Sequence, residues 1–243
     1  MSELRTKSLA HIVNSNHRTA SVFEKYHLDF CCKGRRTLYQ ACEESQIPVD
    51  QIIAELENIT DSSSVPVHFS NMSLTQLAEY IVMTHHVYVK EKMPSILLYL
   101  QKIASKHALT HPEMVKVLET FTALKEDMEQ HMQKEELILF PRIKTLEKIT
   151  TESEPQNTDL SYLQSPITLM EEEHDHAGLL LEEIRKLTNN YTPTADGCTT
   201  YNLCYAALQA FEFDLHQHVH LENHILFPKT LDLIKKLNNP ALN

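Results

Sequence analysis

Residues 131–141 read HMQKEELILFP, and residues 218–228 read HVHLENHILFP. Both stretches place a glutamate four residues after a histidine and close on Leu-Phe-Pro, and the two copies lie 87 residues apart. Because residues i and i+4 share one face of a helix, each copy presents an imidazole and a carboxylate side by side. The sequence therefore predicts two helices that each carry the same pair of polar groups on one face.

A further histidine precedes each of these copies on a predicted helix of its own. His86 lies before the first copy and His174 before the second, and these two residues are 88 positions apart. The near-equal offsets indicate that two helical hairpins repeat one plan, so the chain is predicted to form a bundle of four long helices. We expect these helices over residues 73 to about 105, 112 to past 136, 165 to about 187, and 200 to about 226 with an extension through 237.

Apolar residues in the four predicted helices recur at every third or fourth position, which is the spacing of a buried helix face. Burying an imidazole or an ionised carboxylate without a partner is costly. A shared pair of metal ions would satisfy all the polar residues that interrupt these stripes, and imidazole and carboxylate are suitable ligands for iron, though not for iron alone. The interrupting residues are His86, His131, Glu135, His174, His218 and Glu222.

The same register separates the remaining histidines from the inward set. Four of them lie about 200° around their helix from an inward position, and we expect these to be exposed: His176, His216, His220 and His224. His85 is an alternative to His86, because it falls on a second apolar stripe through Leu77 and Ile81. The near-equal repeat offset favours His86.

The composition indicates a helical globular protein, with 243 residues, only 3 glycines and no apolar run long enough to span a membrane. We predict an all-α fold with a small helical domain over residues 1–60, a linker over 61–72 and the bundle over 73–238. The net charge of −11 argues against a nucleic-acid partner and against an anionic membrane surface. Five cysteines and the lack of an apolar leader indicate a cytoplasmic protein.

The quoted stretches, LMEEEHDHAG around His174, and FEKYHLDFCCKG at residues 23–34 resemble the hemerythrin-like di-iron proteins, most of all the bacterial iron–sulphur cluster repair proteins. The resemblance implies a hemerythrin-like up-down four-helix bundle behind a small helical domain with adjacent cysteines. It also implies an oxo-bridged, non-haem pair of iron ions on the six interrupting residues, bridged by the two glutamates. Oxygen-carrying hemerythrins have H-x-x-x-H where this chain has Gly178 four residues after His174, which favours a labile or reactive centre.

The function that this resemblance implies is repair of iron–sulphur clusters damaged by nitric oxide or peroxide, by supply of iron. Damaged iron–sulphur proteins are then the expected partners. Two other functions stay open: a di-iron enzyme that reduces nitric oxide or peroxide, and a module that senses oxygen or nitric oxide. No residue is assigned a catalytic role, and the sequence does not decide whether the leading domain forms a homodimer.

Cys31 and Cys32 occupy the place of the family's Cys-Cys-Gly-Gly motif, in which Lys33 here replaces the first glycine and Gly34 keeps the second. Adjacent cysteines form only a strained ring when they are oxidised together. The pair suits redox exchange, transient metal transfer or an intermolecular bond, and the alternative is two thiols without a special role. We therefore treat Cys31 and Cys32 as candidate redox or transfer thiols.

Overall fold

The structure is a computed structural model that describes four stretches of the chain: residues 3–59, 68–151, 163–194 and 197–238. Within these stretches the regular structure is helical, and the only β feature is an isolated bridge between Ser8 and Thr37. Two compact units are present: a first unit, Met1–Leu77 with His216–Asn243, and a bundle unit, Ala78–Leu215. None of the described helices has both the length and the apolarity to cross a membrane.

Four short α-helices form the leading part of the first unit: α1, Leu9–Ser15; α2, Ala20–Lys25; α3, Leu38–Glu44; and α4, Val49–Glu57. The spacing of apolar residues in the sequence predicts helices over 21–26, 37–44 and 48–59, which α2, α3 and α4 match, whereas α1 was not predicted. The start of α1 is marked by a side-chain cap, in which Ser8 Oγ accepts a hydrogen bond from His11 N at 3.2 Å. Single 3₁₀ turns lie at Glu3–Thr6, His17–Thr19 and Phe69–Asn71.

Seven further α-helices follow: α5, Leu74–Ile81; α6, Val87–His107; α7, Glu113–Lys134; α8, Phe140–Thr151; α9, Gln164–Leu187; α10, Thr199–Leu221; and α11, Phe227–Asn238. Three π-helical turns, Val82–His86, Glu135–Leu139 and Glu222–Leu226, make continuous helices of α5–α6, α7–α8 and α10–α11. Before α5, Ser73 N donates to Gln76 Oε1 at 2.9 Å and Gln76 N donates to Ser73 Oγ at 3.2 Å. This is the capping box that the sequence predicts at the start of the first long helix.

Helices α7 and α9 of the bundle unit run antiparallel. Lys116 Nζ, near the start of α7, lies 4.0 Å from Glu183 Oε1 near the end of α9. His131 Nδ1, near the end of α7, lies 2.9 Å from Glu173 Oε2 in the first half of α9. The all-α fold and the up-down four-helix bundle that the sequence predicts are therefore confirmed.

Residues 199–215 of α10 close this bundle against the other three helices. Phe211 packs edge-on against Phe121 of α7, with ring centroids 5.6 Å apart. Arg185 Nε of α9 lies 3.2 Å from Glu212 Oε1. Burying an aromatic or aliphatic side chain of this size stabilises the fold by about 1.5–3 kcal/mol. The fully buried layer also includes Val89, Ile96, Val117, Leu124, Ile184 and Leu208.

The π turns shift the inward stripe by one residue, because a π turn holds one more residue than an α turn. After Glu135 the buried position falls on Leu139, which is 2% exposed, and not on Ile138, which is 46% exposed. In the sequence, the apolar stripe through Phe121, Leu124 and Met128 continues through His131 and Glu135 to Ile138 at uninterrupted helical spacing, and the prediction that Ile138 points inward is wrong. In the first π turn, His85 and His86 are both buried, so the apolar stripe that contains His85 and the one that contains His86 are both covered at this turn.

The Leu-Phe-Pro sequence that ends each repeat leaves one carbonyl in the second π turn and one in the third without its α-helical N–H donor. A proline inside a helix has no N–H, and its ring collides with the carbonyl four residues earlier. For Pro228 that carbonyl belongs to His224, and Asn14 Nδ2 donates a hydrogen bond to it at 3.3 Å. For Pro141 it belongs to Leu137, inside the second π turn.

Candidate metal centre

A buried carboxylate in the bundle unit is surrounded by the imidazoles of three helices. Glu135, the first residue of its π turn, has a fully buried side chain, and its Oε2 lies 3.3 Å from both His86 Nε2 and His131 Nε2. His174 Nε2 of α9 lies 3.0 Å from His131 Nε2. Donor atoms of His131, Glu135 and His174 lie within 4.8 Å of one another. Four of the six predicted ligands are therefore brought together within one unit.

Two further carboxylates hold the outer nitrogens of these imidazoles. Glu136 Oε1 lies 2.7 Å from His86 Nδ1, and Glu173 Oε2 lies 2.9 Å from His131 Nδ1. An ionised carboxylate only accepts hydrogen bonds, so each Nδ1 carries the proton and each Nε2 keeps its lone pair. The lone pairs are thereby directed toward Glu135, as in the carboxylate–histidine–metal arrangement of metalloproteins.

Hydrogen bonds from a histidine and a lysine keep each of these outer carboxylates ionised. Burial works to raise the pKa of Glu136, but hydrogen bonds from Lys90 Nζ, at 2.6 Å, and from His86 hold that pKa below its ordinary value. The hydrogen bond from His131, opposed by burial and supported by the Lys134 ammonium, lowers the pKa of Glu173 to about 2. Neither role was predicted from the sequence. The only signal for them was adjacency, since each glutamate is next to a predicted ligand.

The other two predicted ligands lie in the first unit. His218 Nε2 is 3.0 Å from Glu222 Oε1, one helical turn apart, and both side chains are fully buried. Glu222 begins the third π turn, as Glu135 begins the second. The two H-x-x-x-E copies therefore share their local backbone geometry as well as their sequence.

His85, the alternative to His86, has a different carboxylate partner. His85 Nδ1 lies 3.1 Å from Asp214 Oδ1 of α10, and its ring packs edge-on against Tyr80. His86 Nε2 lies against Glu135 instead. Within the bundle unit, His86 and not His85 shares the buried carboxylate with His131.

The expectation that the histidines on the far face of the last helix are exposed was wrong. His220 is 3% exposed, and His216 and His224 are partly buried, because the leading helices of the first unit cover this face. His220 Nε2 lies 2.9 Å from Asn14 Oδ1, and His216 Nδ1 lies 2.6 Å from Glu24 Oε1. Burial lowers the pKa of His220 to about 3, so its imidazole is neutral. His176 is exposed, as expected.

The two adjacent cysteines lie in a loop of the first unit, residues 29–34, which we call the thiol loop. Asp29 Oδ1 accepts hydrogen bonds from the backbone N–H groups of Cys31 at 3.1 Å, Cys32 at 2.9 Å and Lys33 at 3.2 Å. From the opposite side, His224 Nε2 donates to Cys31 O at 2.7 Å. Contact with the Cys32 thiol, together with burial, raises the pKa of the Cys31 thiol well above its usual value.

Position 34 of the thiol loop has no room for a side chain and therefore requires glycine. A Cβ at this position would lie 2.1 Å from the Phe30 carbonyl oxygen and 2.6 Å from His224 Nε2. Lys33, which replaces the first glycine of the family motif, does not adopt a positive φ. The substitution by lysine therefore imposes no backbone strain, and the loop needs only its second glycine.

Replacing Gly34 by alanine is expected to destabilise the protein by about 1–2 kcal/mol, because backbone atoms would have to move to admit the methyl group. Thermal unfolding followed by circular dichroism measures this as a lower Tm. Lys33→Gly is the matched control at the neighbouring position. It is expected to lower the stability only slightly, through the added backbone freedom of the unfolded chain. Equal melting of Gly34→Ala and the unsubstituted protein would contradict the close packing described here.

The donor set in the bundle unit fits a cation. Imidazole nitrogens with directed lone pairs and a carboxylate, all shielded from water, are ligands that iron, zinc and related divalent ions bind. Helix bundles commonly build such sites in their cores from side chains on facing helices. The arrangement can hold a metal ion that keeps its contact with the protein through oxygen and nitrogen atoms alone.

Comparison with known proteins identifies the family. The Hemerythrin HHE cation binding domain matches residues 77–230, and a Domain of Unknown function, DUF542, matches residues 5–60. The "Iron-sulfur cluster repair protein YtfE" of Escherichia coli O81 (strain ED1a) is 36% identical over 228 residues, which cover 93% of this chain and 97% of that protein. The protein of the same name from Escherichia fergusonii is 35% identical over the same shares.

The chain therefore belongs to the hemerythrin HHE cation-binding family, in the branch that contains these iron–sulfur cluster repair proteins and carries the DUF542 domain ahead of the bundle. The resemblance drawn from the motifs is confirmed. The bundle is a cation-binding domain, in agreement with its buried histidine and glutamate cluster.

Proposed function

We propose that this protein binds two iron ions and supplies iron to iron–sulfur proteins whose clusters have been damaged by oxidative or nitrosative stress. The relatives described above carry iron–sulfur cluster repair in their names, and they match nearly the whole chain. The proposed ligands are His86, His131, Glu135, His174, His218 and Glu222. The damaged iron–sulfur proteins are the proposed partners, and the cytoplasm is the proposed location.

The observation that carries the proposal is the preorganised half-site in the bundle unit. Two imidazoles are held by outer carboxylates so that their Nε2 atoms lie 3.3 Å from one buried carboxylate oxygen of Glu135. We propose that His218 and Glu222 supply the corresponding half of the same centre. The support for this step is the repeat, in which the two H-x-x-x-E copies have the same spacing and each opens a π turn at its glutamate.

The chemistry of the ligands suits release as well as binding. Iron bound by imidazole and carboxylate can be exchanged, because these ligands hold it less tightly than thiolates do. Ligand imidazoles and carboxylates compete for protons, so release is coupled to proton uptake by the protein. Glu136 and Glu173 keep the Nδ1 proton of their histidines in place during this exchange.

The test of the proposed function is reactivation of an iron–sulfur enzyme whose cluster has been damaged by nitric oxide or peroxide. The iron-loaded protein is expected to restore more activity than an equal amount of free ferrous iron, because a protein carrier delivers the ion at the damaged site. A strong iron chelator in the solution should suppress recovery by free iron and leave much of the recovery by the protein.

Recovery no greater than that given by free ferrous iron would contradict the proposal. Steady turnover of nitric oxide or peroxide by the purified protein with an electron donor would instead favour the enzymatic alternative. A single stoichiometric reaction with these molecules would leave iron supply as the better account.

A further inference from the structure

The thiol loop gathers three potential ligand groups in one place. Donor atoms of Asp29, Cys31 and Cys32 lie within 4.8 Å of one another. The two sulfurs are 3.8 Å apart, and neither cysteine takes part in a disulfide. Cys31 Sγ lies 3.3 Å from Asp29 Oδ1. These groups belong to the first unit and do not overlap with the six proposed iron ligands.

The distance between the two sulfurs matches the distance between two sulfurs that bind the same metal ion. Two sulfurs that each lie about 2.3 Å from a tetrahedral zinc ion are about 3.8 Å from each other. A disulfide would bring them to about 2.05 Å, and it would close a strained ring between adjacent residues. The loop therefore already holds both thiols at the distance that a shared tetrahedral cation needs.

We infer that Cys31, Cys32 and Asp29 form a second cation site, for one thiophilic divalent ion. Two sulfur donors select a borderline or soft ion such as Zn²⁺ or Fe²⁺ over hard ions such as Mg²⁺ and Ca²⁺. Each thiol loses its proton to solvent as its sulfur binds the ion. The fourth tetrahedral position is open to water or to a ligand from a partner, which is the pattern of exchangeable metal sites.

The structure of the loop does not depend on the thiols. Its backbone is held by Asp29 Oδ1 from one side, and by His224 Nε2 at 2.7 Å and Asn223 Nδ2 at 3.4 Å, which both donate to Cys31 O, from the other. A cysteine-to-serine change should therefore leave the loop in place. The hydrogen bonds that Asp29 accepts do not require its negative charge, because an asparagine carbonyl can accept hydrogen bonds from the same N–H groups.

Cobalt(II) is the probe for this site, because thiolate ligands give it a charge-transfer absorption in the near ultraviolet that nitrogen and oxygen ligands do not give. The full-length, iron-loaded protein is titrated with Co²⁺, and Zn²⁺ is then added. We expect one Co²⁺ per chain with a thiolate band that Zn²⁺ removes. Cys31→Ser and Cys32→Ser are each expected to abolish the band without changing the iron content, and Cys32→Ser, at the less buried position, is expected to keep the Tm unchanged as well.

Asp29→Asn and Cys198→Ser are the matched variants. The asparagine keeps the hydrogen bonds of the loop and loses the anionic ligand, so Co²⁺ should bind at least about tenfold more weakly. Even the loss of an outer partner of a metal ligand lowers metal affinity by about that factor. Cys198 is an exposed cysteine far along the chain, and Cys198→Ser should leave the titration unchanged.

Absence of a thiolate band in the unsubstituted protein, or its persistence in both serine variants at residues 31 and 32, would overturn the inference. Unchanged affinity in Asp29→Asn would remove Asp29 from the site, and loss of the band in Cys198→Ser would relocate it, so either result contradicts the site as stated. If Cys31→Ser fails to fold, Cys32→Ser decides the outcome, since its side chain is only half-buried. Iron content is measured separately, so a failure here is distinct from a failure of the proposed iron centre.

Discussion

Glu135→Gln is expected to remove at least half of the iron that the protein binds, measured as iron per chain after reconstitution. The Glu135 side chain is fully buried, and its Oε2 lies 3.3 Å from the Nε2 atoms of both His86 and His131. Glutamine has nearly the same shape, but its amide nitrogen offers two protons and no lone pair to a cation. It also removes the negative charge that offsets the charge of the metal.

The stability of the metal-free protein separates loss of binding from loss of folding. Burying a neutral amide costs less free energy than burying a carboxylate, so metal-free Glu135→Gln should melt at or above the Tm of the metal-free unsubstituted protein. Glu119→Gln changes an exposed glutamate on the same helix and should keep its full iron content. Full iron content in Glu135→Gln would remove Glu135 from the ligand set and with it the centre of the proposal.

The double variant Glu136→Gln, Glu173→Gln is expected to lower iron affinity by a factor between about 10² and 10⁴. Removing one outer partner of a metal-bound histidine typically costs about 10–100-fold in affinity, and the two glutamates act on different histidines, so their effects should be nearly additive in free energy. A glutamine amide, unlike a carboxylate, can also turn its NH2 group to donate to Nδ1, so each imidazole can then place its proton on Nε2, where it blocks the lone pair needed by a metal ion. Competition with a chelator of known affinity measures the effect.

Each single variant should show about half of the change in binding free energy that the double variant shows. Glu172→Gln is the matched control, because this neighbour of Glu173 carries the same charge and is exposed to solvent. An equal loss of affinity in Glu172→Gln would mean that overall charge, and not orientation of the imidazoles, sets the effect. Unchanged affinity in the double variant would show that Glu136 and Glu173 have no positioning role.

Local chemistry explains why much of this protein could be predicted from its sequence. The i, i+4 spacing places His131 beside Glu135, and His218 beside Glu222, on one helix face whatever the rest of the chain does. The apolar stripes predict the buried faces of α7, α9 and α10, and the Ser73 capping box predicts the start of α5. These inferences depend on residues less than two helical turns apart.

The π turns show where such local reasoning stops. Uninterrupted helical spacing predicts that Ile138 is buried and leaves His85 and His86 as competitors, whereas the extra residue in each π turn buries Leu139 and both histidines. The Leu-Phe-Pro endings were visible in the sequence as a repeat. How the carbonyl opposite each proline is satisfied was not predicted. For Pro228 this carbonyl belongs to His224, and its donor is Asn14, which lies far away along the chain.

By itself, then, the sequence determined which long helices form, which faces they bury outside the π turns, and which histidine–glutamate pairs lie side by side, since all of these follow from neighbours within one or two turns. Only the tertiary structure decided that Glu136 and Glu173 hold the imidazoles of two proposed ligands, His86 and His131, and that His220 is buried. It also brought His224 against the thiol loop, through a hydrogen bond between residues 193 positions apart. The physical reason is that burial of a polar group depends on what covers it, and the covering residues here lie far away along the chain.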